Sequence, residues 1–138
     1  MPGEFYIEGT QEKLSIQVMV DLMLKLERSS QSGWKLMTGS YEPVYEESQV
    51  AAYLFCGGKI DLSLMEAGDA IDVRIRTKLD EADTYKTTWQ QSYSDVQPED
   101  GQVIRLPAMP DTFGLEVSMR QTAGTLKYIL CEFFDAKQ

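Results

Sequence analysis

Histidine is absent from the 138-residue sequence, and basic residues are scarce. Without histidine the chain lacks the commonest general base, the commonest metal ligand and the usual pH switch near neutrality. The 13 Lys and Arg residues are outnumbered by 22 Asp and Glu, which gives a net charge of −9. Because such a surface repels nucleic-acid phosphates and anionic membranes, we expect neither as a partner.

Cysteine occurs only at Cys56 and Cys131. Two cysteines make neither a disulfide framework nor a zinc site. They are either a bridge between neighbouring strands or two small buried hydrophobic side chains, and the second interpretation is favoured. The acidic segment 80–83 does not match a calcium-loop spacing and is better interpreted as turn chemistry. We therefore expect no metal and no cofactor.

Long apolar runs are also missing. The longest, residues 14–26, contains Asp21 and Lys25 and is too short to span a bilayer. The N-terminus lacks the basic start and apolar core of a signal peptide. We expect a soluble protein without an export signal.

The first 33 residues predict an extended arm and one amphipathic helix. The arm, residues 4–8, reads EFYIE, and residues 11–30 are rich in good helix formers and contain no Gly or Pro. The apolar residues at helical spacing are Ile16, Met19, Val20, Met23 and Leu26. Val18 and Leu22 fall outside this stripe, so the helix needs a second covering surface. Partial polar–apolar alternation leaves strand structure as an alternative for this segment.

From Trp34 onward the sequence predicts β structure. The clearest strand, residues 71–79, alternates apolar and polar side chains and forms a hairpin with residues 85–93. Arg74 and Arg76 share one face of it, which we interpret as a solvated outer face rather than a basic binding patch. Residues 126–134 are apolar on both faces, which is typical of a central strand covered by the other sheet and the helix.

The expected fold is therefore mainly β, an antiparallel β-sandwich that is jelly-roll-like. Roughly seven or eight strands spaced about ten residues apart, with Gly, Pro and Asp turns, favour this class. A parallel α/β layout would need helices after residue 33, and none is predicted. We expect one domain overall, with the arm and helix in residues 1–33 and the sandwich in residues 34–138.

No pattern for catalysis is present. The sequence contains no GxSxG, no SxxK and no glycine-rich phosphate loop. Carboxylate pairs arise by chance in an acidic chain, so they are weak support for an enzyme that uses two acids. We predict no catalytic residues and no enzyme.

Aromatic residues offer an alternative function. Trp34, Trp89 and Tyr93 are candidate stacking rings for a carbohydrate-binding β-sandwich module, because a flat apolar sugar face stacks on such rings. Core packing and cross-strand pairing explain the same residues without any ligand.

Three segments carry a resemblance to a known class: IDLS at residues 60–63, GDAIDVRIRTKLDEADTYK at 68–86 and LPAMPDTFGLEVSMRQTAGT at 106–125. They are similar to small β-sandwich proteins of tailed phages and archaeal viruses, over residues 59–134. The resemblance implies a jelly-roll-like virion or capsid-decoration protein that assembles as a homo-oligomer. Its motifs are strand and turn patterns, so no family functional residue is carried over.

The leading hypothesis is a non-enzymatic structural protein of a virus or virus-like particle. We expect it in the virion, or in the cytoplasm before assembly, bound to itself as a homo-oligomer such as a trimer and to other virion proteins. The predicted interface comprises Phe5, Tyr6, Ile7, Ile16, Met19, Val20, Met23 and Leu26. An arm of this kind can add a strand to a neighbour's open sheet edge.

Overall fold

A computed structural model describes residues 25–137, and their regular structure is almost entirely β. The strands are β1 Leu26–Arg28, β2 Gly33–Leu36, β3 Glu42–Glu47, β4 Tyr53–Phe55, β5 Gly58–Asp61, β6 Ala70–Thr77, β7 Lys86–Ser94, β8 Val103–Leu106, β9 Met109–Asp111, β10 Leu115–Ala123 and β11 Tyr128–Ala136. A 3₁₀ turn, Glu99–Gly101, precedes β8. The prediction of a mainly β chain is confirmed for this part of the sequence.

Most of the predicted N-terminal arm and helix lies outside the described residues. Where the prediction reaches them, at Leu26, the helix is wrong, since Leu26–Arg28 is a strand that pairs with β11. Good helix formers are a weak prior, and sheet hydrogen bonding overrides them here.

The strands form two main sheets. In the first sheet β1 and β2 both pair with β11, which is followed by β5 and β8. The second sheet has the order β3–β10–β6–β7, and β4 and β9 form a separate two-stranded pair. Among the strands from β2 through β11, neighbouring strands pair in antiparallel orientation. These pairs include the predicted hairpin of β6 and β7.

Residues Arg28–Asp135 form one compact unit. Outside this unit, the Lys137 amide donates a hydrogen bond of 2.9 Å to the Lys25 carbonyl.

The hydrophobic core of Arg28–Asp135 follows from strand alternation. Every second residue of a strand points to the same face. The fully buried apolar residues of three long strands keep this period: Ile71 and Val73 in β6, Leu115, Val117 and Met119 in β10, and Ile129, Cys131 and Phe133 in β11. Tyr45 adds an aromatic centre, since its ring centroid lies 4.8 Å from that of Phe133 and 5.3 Å from that of Phe55. The predicted central position of β11 is confirmed, because β2 and β5 flank it.

Candidate interaction surfaces

Most of the predicted interface residues lie outside the residues that the structure describes. These are Phe5, Tyr6, Ile7, Ile16, Met19, Val20 and Met23. Leu26 is described and is 40% exposed on β1. The proposed contact surface of the N-terminal segment therefore stays a prediction.

The three predicted stacking rings do not form one platform. Trp34 lies on β2 in the first sheet and is 58% exposed. Trp89 and Tyr93 lie on β7 in the second sheet, opposite the core residues Ile75 and Ile71. Because directly paired residues share a face, Trp89 and Tyr93 point to the interior side of their sheet and Trp34 to solvent.

The solvent face of the first sheet carries a contiguous apolar surface that sequence reasoning missed except for Trp34. Register places Trp34 beside Leu130 and Leu36 beside Tyr128 on adjacent strands. Leu36 and Tyr128 are 51% and 58% exposed, and Leu130 is half-buried. We call these four residues the outer patch. The sequence signal was available, because Tyr128 and Leu130 alternate on the apolar outer face of β11.

A charged pocket adjoins the outer patch. Glu132 accepts ion pairs from Arg28 at 3.2 Å and from Lys59 at 2.9 Å. These three side chains, with Asp61, Val103 and Leu130, line a depression of about 190 Å³. The hydrogen bond and charge of Lys59, together with those of Arg28, hold the pKa of the Glu132 carboxyl below its ordinary value. The Glu132 carboxylate is therefore ionised at neutral pH.

A second depression lies between the edge strands β7 and β8. It has a volume of about 410 Å³, and its lining residues are Ile75, Thr88, Trp89, Ile104, Arg105, Leu106, Pro107 and Met109. Ile75 and Leu106 are only 4% and 5% exposed, so the depression reaches the hydrophobic core. We call it the edge groove. Apolar lining with one charged side chain is typical of a site for an apolar partner group.

The solvent face of the second sheet is a hydrogen-bonded network, not the solvated face that Arg74 and Arg76 predicted. Asp72 is 7% exposed and Glu116 6% exposed, so both carboxylates are buried. Arg76 forms an ion pair of 2.8 Å with Glu116. The Arg74 guanidinium carbon lies 3.6 Å from the ring centre of Tyr41.

The Tyr41 side chain covers part of this face. The Tyr41 ring also lies 4.4 Å from the Arg120 guanidinium carbon, so two cations stack on one aromatic side chain. That ring belongs to the segment before β3, which is distant in sequence from β6 and β10. Alternation within one strand cannot reveal a cover that comes from elsewhere in the chain.

The described residues offer little for covalent or metal chemistry. Cys56 and Cys131 are both free thiols, and burial raises the pKa of the Cys131 thiol to about 12. In residues 25–137 no group of three or more Cys, Asp or Glu side chains is placed to hold a metal ion. Asp80 and Asp83 accept backbone hydrogen bonds from Ala82 and Thr84, as the turn interpretation predicts. Over the same residues no helix is long and apolar enough to cross a membrane.

Comparison with known proteins gives a distant likeness among solved structures. No family model matches the sequence, and no curated protein matches it either. Among solved structures, the chain is similar to the crystal structure of the infectious bursal disease virus VP2 subviral particle, with a TM-score of 0.44 and 10% sequence identity. The likeness covers 79% of this chain and 31% of that chain, so this protein spans less than a third of the other's length.

Proposed function

We propose that this chain is a non-enzymatic structural protein of a virus or virus-like particle. In this proposal it has a jelly-roll fold, assembles as a homo-oligomer such as a trimer, and contacts other virion proteins. It resides in the virion, and in the cytoplasm before assembly. Nucleic acid and membranes are not among its partners.

The observation that carries the proposal is the strand order. With β1 set aside, eight antiparallel strands fall into two sheets of order β2–β11–β5–β8 and β3–β10–β6–β7. The chain crosses between the sheets at each step except the β6–β7 hairpin. Strand β4 lies in the connection from β3 to β5, and β9 lies in the connection from β8 to β10. This is the connectivity expected of a jelly roll, an architecture that viral capsid domains use. The step from this architecture to the role is an analogy of fold.

The outer patch supports association with other protein surfaces. Trp34, Leu36 and Tyr128 are each more than half exposed, although such side chains bury well. A contiguous apolar surface of this kind on a soluble chain marks an interaction site, and aromatic residues are enriched at the centres of interfaces. It supplies a candidate contact for other virion proteins.

The proposed homo-oligomer is tested by measuring the mass of the full-length protein over a wide concentration range by sedimentation velocity. We expect a concentration-dependent oligomer that Met19→Lys weakens at least tenfold in dissociation constant. Removing a buried Met from an interface costs about 1.5–3 kcal/mol, and every 1.4 kcal/mol is about tenfold.

Gln17→Lys provides the matched control. It adds the same charge to the polar face of the predicted helix, and we expect it to change the dissociation constant less than threefold. A full-length protein that stays monomeric at every concentration would refute the homo-oligomeric role.

A carbohydrate-binding β-sandwich module is the second candidate function. The observation that favours it is the placement of the exposed Trp34 and Tyr128 rings beside the charged pocket, since sugar sites combine a stacking ring with polar groups. Glycan-array hits that Trp34→Ala abolishes and Trp89→Ala retains would support this function. An array without hits removes it.

A further inference from the structure

Strand β7 presents a long open edge. It is nine residues long, forms one border of the second sheet, and is exposed along nearly its whole length. Within residues 25–137 no strand pairs with its outer side. It contains no proline, and its single charged residue is Lys86 at the start. Natural edge strands usually carry charges, proline or a cover that block pairing with another chain.

The other sheet edges are shorter or blocked. At β3, the Gln31 side-chain amide donates a 2.9 Å hydrogen bond to the Glu46 carbonyl. The Glu46 amide in turn donates a 2.8 Å hydrogen bond to the Gln31 side-chain oxygen. In the first sheet, the edge strand β8 has four residues and β1 three. The edge of β7 is therefore the most favourable place to add a strand.

The edge groove lies where the side chains of an added strand would point. In a strand that pairs with β7, every second residue lies on the interior face of the sheet. The interior-facing residue Trp89 borders the groove, and Ile104 and Met109 line its other side. Strand addition of this kind gains affinity from main-chain hydrogen bonds and specificity from pockets for alternate side chains.

The N-terminal arm has the matching pattern. Phe5 and Ile7 are two residues apart, so in an extended chain they share a face, and Tyr6 takes the other. Glu4 and Glu8 flank them with negative charge. Arg105, exposed on the groove, makes no ion pair with any residue from 25 to 137. The five residues of the arm span about 17 Å when extended, and the nine residues of β7 span about 30 Å.

We propose that residues 4–8 of a second copy of this chain add as a strand to the open edge of β7, with Phe5 and Ile7 in the edge groove. The inference rests on the proposed homo-oligomeric function and identifies the surface that receives the arm. Arg105 at the groove offers a positive charge to the acidic residues that flank the arm.

The test uses full-length protein and two residues of β7 that differ only in face. Gln91 pairs with Val73, a core residue, and Gln90 pairs with Arg74 on the solvent face, while both glutamines are exposed. Gln91→Lys places a charge on the interior face of β7, two residues from Trp89, where an added strand would lie, so we expect the dissociation constant of the oligomer to rise at least tenfold. Gln90→Lys adds the same charge on the solvent face, and we expect a change below threefold.

The reciprocal pair lies on the arm. Ile7→Lys should weaken the oligomer as much as Gln91→Lys, and Tyr6→Lys should weaken it less than threefold. Residue 7 lies outside the compact unit Arg28–Asp135, so we expect Ile7→Lys to leave that unit folded. If Gln91→Lys fails to fold, the dissociation constant of Ile7→Lys tests the strand addition.

The outcomes separate this inference from the proposed function. An oligomer that withstands either Gln91→Lys or Ile7→Lys overturns the strand addition and leaves the homo-oligomeric role intact. A wild-type protein that remains monomeric overturns both.

Discussion

Replacing Phe133 with alanine is expected to lower the free energy of unfolding by about 3–5 kcal/mol, the usual cost of deleting a buried aromatic ring. The ring is fully buried and lies 4.8 Å from that of Tyr45. A Cβ added at Gly58 would lie 2.6 Å from Phe133 Cδ1, so the backbone of β5 rests directly on this ring. Since strands on both sides hold that backbone in register, the cavity cannot close fully.

Urea denaturation at one pH measures this loss, and Phe134→Ala is its matched control. Phe134 follows Phe133 on the same strand, faces the other way and is only half-buried. We expect the control to cost less than half as much. Equal losses would mean that the ring of Phe133 is not the centre of the core.

The sequence predicted those parts of the fold that depend on local pattern. The alternation of β6 placed Ile71, Val73 and Ile75 in the core, where the structure has them. A period of two fixes which face a residue takes, because a slip of one residue would turn the whole apolar set outward. The central position of β11 followed in the same way from its apolar character on both faces.

Position within a sheet was not predictable from the same pattern. The alternation of β7 reads alike for an edge and for a central strand, since it reports faces and not neighbours. The open edge and the edge groove therefore emerge only when β7 and β8 are both placed. For Trp34, the sequence of its own strand likewise does not show whether the side chain faces solvent or the core.

The burial of Asp72 was also not predictable from the sequence pattern, since its environment is formed by three separate strands. The Ser92 hydroxyl donates a 2.7 Å hydrogen bond to one carboxylate oxygen, and Arg120 Nε donates a 2.8 Å bond to the other. In the sequence Asp72 is one polar residue of an alternating strand, typical of a solvated face. The chain buries it through a register that joins β7, β6 and β10.

Asp72→Asn is expected to lower the free energy of unfolding at pH 7 by about 1–3 kcal/mol, the range for losing charged hydrogen bonds at a buried group. Asn keeps the shape of the side chain but removes the charge that Arg120 pairs with. The partly exposed Arg120 can turn to water, which keeps the loss below that of a fully buried pair. Urea denaturation measures the difference in the free energy of unfolding. The control is Asp100→Asn, the same substitution at an exposed residue.

The same variant should reveal a dependence on pH. Burial raises the pKa of the Asp72 carboxyl, but the hydrogen bonds from Ser92 and Arg120 and the charge of Arg120 outweigh it, so the pKa lies below its ordinary value. A carboxyl whose pKa is lower in the folded state stabilises the fold fully above its unfolded pKa of about 3.9. That contribution is lost as the pH falls through the folded value, because the unfolded chain takes up the proton first. The gap between wild type and Asp72→Asn should therefore be constant from pH 7 to about 5 and narrow as the pH falls below about 4. A gap that stays constant or widens in acid would show that the ionised carboxylate of Asp72 does not hold this face together.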